Sequence, residues 1–215
     1  MSLVIVGTVA FDAIETPFGK TDKIVGGAAT FAGLAASYLY NNVKLISVIG
    51  EDFGDSNLGL ISSKGIDVEG VEIVPGGKSF FWSGKYHNDM NSRDTLITEL
   101  NVLADFDPKI PASYQDCEYL LLGNLTPQVQ INTLNRLDKK PKLVVLDTMN
   151  FWMDVAMDDL KEVLKKVDVL TINDAEARQL SGEYSLVKAA KQILTMGPKY
   201  LIIKKGEHGA LLFGE

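Results

Sequence analysis

The sequence predicts an α/β fold: a mostly parallel sheet flanked by helices on both faces, with a small β-rich lid. Three observations predict it. Short apolar runs at Leu3–Val6, 43–48, Tyr119–Leu122, 143–146, 169–172 and Tyr200–Lys204 read as buried strands. Segments with helical spacing separate most of them, and strands that alternate with helices call for a largely parallel sheet covered on both faces. Between residues 71 and 98 the pattern changes to successive β-type runs containing Phe80, Phe81, Trp82 and Tyr86, and aromatics suit strands.

In chain order, the opening strand leads through Thr8-Val9-Ala10-Phe11 to Asp12. Open α/β sheets bind ligands beyond the carboxyl ends of their strands, so Asp12 is either a substrate contact or a turn residue. Residues 13–24, with Pro17 and Gly19, are too short for a crossover helix and read as a hairpin excursion. The stretch Val25-Gly26-Gly27-Ala28-Ala29-Thr30 then enters a stripe of Phe31, Leu34, Ala35, Tyr38 and Leu39, whose spacing predicts a helix from near Gly27 to about Asn41. Its glycines either make a plain turn or let backbone approach a ligand closely, with helix N–H groups on offer.

Residues 55–63 continue as a helix after the Gly50-Glu51-Asp52-Phe53-Gly54 loop. Runs at 71–74, 79–87 and 93–98 read as strands of an insert that pairs with residues 13–25 to form the lid. Helices are expected at 127–137, 158–166, 174–180 and 185–196, the last with Ser185 as N-cap, and a final strand at 210–213 follows a turn at 206–209. At 215 residues the chain suits one domain spanning 1–215.

Composition narrows the function classes. The net charge is −7 and neither sign forms a long run, which argues against a nucleic-acid surface. The single cysteine, Cys117, rules out an intrachain disulfide and fits a reducing, cytoplasmic setting; it reads as a packing residue. The start has no basic n-region or long apolar h-region, and no apolar stretch approaches the roughly 18 residues that span a bilayer, so no membrane role is expected.

Several motifs fail. Gly19-Lys20-Thr21 and Gly77-Lys78-Ser79 each end like a phosphate loop, but the required first glycine is Ile14 or Glu72. Gly7-Thr8-Val9-Ala10 is no dinucleotide fingerprint, and His87 and His208 lack the partners of a zinc site. Three polar clusters remain at strand ends. Asp147-Thr148-Met149-Asn150 reads as an ordinary turn. Asn173-Asp174-Ala175-Glu176 reads either as a capping box or as a carboxylate that holds a hydrated magnesium ion. Lys204-Lys205-Gly206-Glu207-His208-Gly209 reads either as a hairpin turn or as a basic glycine turn against a nucleotide.

In order and spacing, these segments together resemble the ribokinase-like (phosphofructokinase-B) carbohydrate kinase family over essentially the whole chain. Asp12, Gly26-Gly27-Ala28-Ala29 and Val48-Ile49-Gly50-Glu51-Asp52-Phe53-Gly54 look like its N-terminal signature. Asn173-Asp174-Ala175-Glu176 matches its N-x-x-E motif, and Ile202 to Ala210 looks like its nucleotide-binding G-x-x-G strand-turn. The resemblance implies transfer of the γ-phosphoryl of ATP to a hydroxymethyl group of a sugar or nucleoside. It implies substrate contacts from Asp12, Gly26, Gly27, Thr30, Arg93 and Asn124. It also implies nucleotide contacts from Asn173, Glu176, Lys204, Gly206 and Gly209, with Mg²⁺ held by Glu176 through water. Trp82 and Phe81 would either pack within the lid or stack on the substrate, with packing the preferred reading, and a homodimer through the lid is compatible with the pattern.

Two departures stand out. The family's G-G-x-x-x-N turn has its asparagine where this chain has Phe31, and the Thr30 hydroxyl is the nearest polar substitute. The family's G-A-G-D segment, which carries the general base and an anion hole, does not occur in residues 1–215. The expectation is a truncated kinase chain with no assignable base. The alternative is a sugar- or nucleotide-binding sensor on a degenerate kinase fold.

Overall fold

The computed structural model describes residues 1–214, in two compact units, residues 1–114 and Gln115 onward. The single domain expected from length is thus described as two compact units.

In the first unit, β1 (Leu3–Val6) lies parallel to β5 (Val43–Gly50), and β5 lies parallel to β6 (Ile66–Val74). The strands are continuous apolar runs because both faces are covered: Val4, Ile5, Val6, Leu45, Ile46 and Ile49 are all essentially inaccessible. A second sheet is ordered β3-β2-β7-β8, from β2 (Ala10–Thr16), β3 (Gly19–Lys20), β7 (Phe81–Tyr86) and β8 (Arg93–Glu99), with β4 (Ile24–Gly26) also paired to β2. This is the lid, and it corrects one expected boundary. Residues 71–74 belong to the parallel sheet, where Val71 pairs with Ser47 and Val74 with Gly50. Strand β6 begins early, at Ile66, because Asp67 and Glu69 are tolerated on its exposed side.

Helix α1 (Ala28–Ser37) forms where expected but ends four residues early and packs on the opposite face. Ala29, Thr30 and Gly33 are buried, whereas Phe31, Tyr38 and Leu39 are 58%, 82% and 91% exposed. The cause is the distance of approach. A Cβ at Gly33 would lie 3.1 Å from Leu45 Cδ2, so only the small-residue side of the helix can sit on β5. Helix α2 (Gly54–Ser62) then buries Ile61.

In the second unit, β9 (Tyr119–Leu122), β10 (Leu143–Asp147), β11 (Val169–Asn173) and β12 (Tyr200–Lys204) are mutually parallel in that order, and β13 (Ala210–Gly214) closes the edge antiparallel to β12. Helices α3 (Pro127–Arg136), α4 (Asn150–Val155), α5 (Met157–Leu164), α6 (Asp174–Ser181) and α7 (Leu186–Leu194) supply the crossovers. Thr126 caps α3 through Val129 N–H, ahead of Pro127 at the first turn. Ser185 occupies the N-cap position of α7 but its hydroxyl makes no cap bond. Buried Asp168 accepts the N–H of Val144 and faces Lys199 at 3.3 Å, which locks the amino ends of β10, β11 and β12 together. Cys117 is buried, as a packing residue should be.

Candidate active site

In the first unit the site is a carboxylate held over glycine. Asp12 stands on β2 opposite Ile24 of β4, two pairs along from Ala10 and Gly26. Its carboxylate fills the space a side chain at Gly26 would occupy: a Cβ there would lie 2.1 Å from Oδ2. Gly27 has φ of 100°, outside the ordinary range of an L-residue, and a Cβ would lie 2.3 Å from the Thr8 carbonyl oxygen. The Gly27 backbone hydrogen-bonds Asp12, and burial raises the carboxyl's pKa while that bond opposes the rise.

The free donors of α1 are not offered outward. Ala28 N–H donates to Thr8 Oγ1 at 2.9 Å and Ala29 N–H to the Thr8 carbonyl at 2.9 Å. Thr8 thereby takes up the first two N–H groups of the helix, and the glycine turn presents the Asp12 carboxylate. Thr8 escaped the sequence reading because a threonine after a strand has no distinguishing pattern; only the fold shows that it caps a helix twenty residues on.

The lid is tied down by Asp52. Ser79 donates to Asp52 Oδ1 from both its N–H and its hydroxyl, each at 2.7 Å, and Lys23 meets Oδ2 at 2.8 Å. Gly50 N–H donates to Ser79 Oγ, and the Lys23 ammonium sits 4.0 Å above the Phe11 ring. Burial alone would raise the Asp52 pKa, but the bonds from Lys23 and Ser79 outweigh it, and the pKa is lowered.

In the second unit the polar groups gather at the carboxyl edge of the sheet. Asn124, just beyond β9, accepts from Trp152 Nε1 at 2.8 Å and donates to Met149 Sδ. Gln130, fully buried on α3, donates to the carbonyls of Gly123 and Asp147, and so links the ends of β9 and β10. Asp147 meets Lys204 of β12 at 3.1 Å; burial raises its carboxyl's pKa, and Lys204 counteracts only part of the rise. Asn173 and Glu176 form a reciprocal capping box, with Asn173 N–H on Glu176 Oε2 at 2.7 Å and Glu176 N–H on Asn173 Oδ1 at 2.8 Å. The turn after β12 runs through Gly206 and Gly209 at φ of 56° and 78°, closed by Lys205 N–H on the Gly209 carbonyl.

A family model for the pfkB family carbohydrate kinases matches residues 2–215. The chain belongs to the pfkB family of carbohydrate kinases. It is 30% identical over 217 residues to a cytidine kinase of Thermococcus kodakarensis, covering 99% of this chain and 76% of that protein. In fold it is similar to the Methanocaldococcus jannaschii nucleoside kinase, a member of the ribokinase family (TM-score 0.77, 17% identity, 100% of this chain and 74% of that one). It is likewise similar to the Burkholderia thailandensis nucleoside kinase solved in complex with inosine (TM-score 0.78, 18% identity, 99% and 73%). The ribokinase-like architecture expected from the motifs is therefore present.

For this pfkB kinase chain, the expected site residues fall into groups. Asp12, Gly26 and Gly27 come together as a cradle. Thr30 does not join them: it turns into the core, fully buried, and its hydroxyl has no partner among the described residues. Helical phase is the reason, since one residue on, Phe31 points outward. Arg93 starts β8 opposite Tyr86, exposed on the lid. Asn124, Asn173, Glu176 and Lys204 share the carboxyl edge of their sheet. Gln130 and Trp152 were missed as site-supporting residues, because long-range bonds to carbonyls and side chains leave no spacing signal, whereas Asp147, read as part of an ordinary turn, pairs with Lys204. Among the described residues no helix is long and apolar enough to cross a membrane, and no cluster of three or more acidic, histidine or cysteine side chains is placed to cage a metal.

Proposed function

We propose that this chain acts in ATP-dependent phosphorylation of a hydroxymethyl group, with a nucleoside as the favoured acceptor class and a free sugar as the other. The Asp12 cradle carries the proposal. A carboxylate held by a backbone N–H, with a glycine cleared beneath it, is suited to accept hydrogen bonds from paired substrate hydroxyls. Phe31 removes a sugar contact: where the family's turn has an asparagine, this chain has a phenyl ring with no polar group to bond a sugar hydroxyl. The likeness to a cytidine kinase favours a nucleoside.

Lys204 and the Gly206 and Gly209 turn suit the nucleotide side, because both glycines sit at backbone angles that other residues resist. Magnesium fits as an ion held through water by Glu176 and by nucleotide phosphates, not by an all-protein cage; it would neutralise charge on the transferring phosphoryl group. Asn173 and Glu176 hold the start of α6 firm whether or not an ion is bound.

The G-A-G-D base segment does not occur in residues 1–215, and this favours a second reading for the polypeptide itself: binding with little or no turnover. Calorimetry and ADP release across a panel of nucleosides and sugars test both readings. Nucleoside binding by the parent, lost in Asp12→Asn, supports the site. Sugar- or nucleoside-dependent ADP release by these 215 residues would refute the silent reading. Unchanged binding in Asp12→Asn would refute the site.

A further inference from the structure

The sheet of the second unit has apolar residues for two covers and helices for one. Strands β9 to β12 follow one another in sheet order, each joined to the next by a helical crossover. Right-handed crossovers that always step the same way put all their helices on one face. That face is sealed: Leu122, Leu146, Leu170 and Leu201 stand in register and are fully inaccessible. Neighbours along a strand point to the opposite face. There the row Leu121, Val145, Val169 and Tyr200 is just as apolar, but Leu121 and Val145 are only half-buried and Tyr200 is 45% exposed. In the next row Ile202 pairs with Leu212, which is 71% exposed. Burial thus alternates along strands that are apolar throughout, whereas β5 of the first unit is buried almost end to end. A sheet with one wet face carries polar residues on it; a parallel sheet that is apolar on both faces is made to be covered on both.

We propose that this uncovered face of β9–β13 is a docking surface for a polypeptide outside residues 1–215 that lays two amphipathic helices side by side across it. The size fits. Five strands about 4.8 Å apart span about 19 Å, the width of two helices packed about 8–10 Å apart. Five strand residues rise about 16 Å, which about eleven helical residues match. The chemistry fits as well. No charge interrupts the apolar field; Asp147 and Lys204 stand only at its carboxyl border, in the rows of Thr171 and Asn173. The occupant's inner side is therefore aliphatic and aromatic, with its polar groups kept to the outer side. So does the length of a relative: the match takes in 99% of this chain but 76% of the Thermococcus kodakarensis cytidine kinase, and the rest of that protein is longer than two such helices need. The docking surface stands apart from the nucleoside reading of the Asp12 site.

The probe is the unmatched part of that cytidine kinase, co-expressed as a separate polypeptide with the 215-residue protein. Size exclusion with light scattering should show a one-to-one complex, and its Tm should lie several degrees above that of the 215-residue protein alone. Tyr200→Lys with Leu212→Lys, both at solvent-exposed positions, should leave the protein's own Tm within about 2 °C and abolish the complex. Val145→Lys, at the centre of the face, should abolish it too. Lys161→Glu with Lys165→Glu, on the exposed side of α5, should leave it intact. No complex with the parent protein overturns the docking surface. A complex that survives the face substitutions places the polypeptide elsewhere and also overturns it, as does equal loss in the α5 variant. No nucleoside or nucleotide enters the experiment, so either failure leaves the Asp12 site standing.

Discussion

Gly26 and Gly27 are adjacent and neither has room for a side chain, but for different reasons, and single substitutions separate them. At Gly26 the obstacle is a movable carboxylate: a methyl group would meet Asp12 Oδ2 at 2.1 Å and push it from its cradle. At Gly27 the obstacle is backbone, with φ of 100° and the Thr8 carbonyl 2.3 Å from a Cβ. Gly26→Ala is therefore expected to abolish ligand binding in calorimetry while melting within a few degrees of the parent. Gly27→Ala should lower stability by about 1–3 kcal/mol from strain alone, seen as a Tm drop of several degrees. If the two variants behave alike in both assays, the division between carboxylate space and backbone conformation is wrong.

At the level of elements, the anchoring of the lid depends on a charged Asp52. Its pKa is lowered in the folded protein, so its contribution is complete above the unfolded pKa and is lost as pH falls through the folded one. Asp52→Asn should destabilise the protein at pH 7, and the Tm gap from the parent should shrink as pH is taken below about 4. A gap constant across that range would remove the ion pair with Lys23 from the account. Helix α6 is anchored differently, by the capping box. Asn173→Ala should cost about 1 kcal/mol, roughly 2–4 °C in Tm for a chain of this size, with or without nucleotide.

These elements also mark how far sequence carries. The box at Asn173 and Glu176 is legible because both partners lie within one turn. The helix after Gly27 is legible as a helix, yet its packing face is not. The apolar stripe through Phe31, Tyr38 and Leu39 predicted burial, while the glycine at position 33 sets which side reaches β5. Residues 71–74 were read as lid because β-type runs 71–74 and 79–87 follow one another without a helix between them. Only pairing with β5 assigns the first to the main sheet. Thr8, Gln130 and Trp152 act across 20, 17 and 28 residues of chain, and such bonds have no local pattern to read.

Over the whole molecule, two exposed surfaces of the first unit compete to explain association. One is the α1 face of Phe31, Tyr38 and Leu39, and the other is the lid edge β8, where Leu96 and Ile97 are 54% and 46% exposed. They call for different behaviour. An edge strand offers unpaired backbone groups in register, which favours a closed pair of like strands. A bare helix face offers only apolar area, which favours open-ended association that grows with concentration. A homodimer through the lid, as the sequence allows, then predicts that Leu96→Glu with Ile97→Glu yields monomer in light scattering after size exclusion. Tyr38→Glu with Leu39→Glu should instead remove larger species and leave the dimer. Monomer produced by the α1 pair alone would move the dimer contact from the lid to the helix.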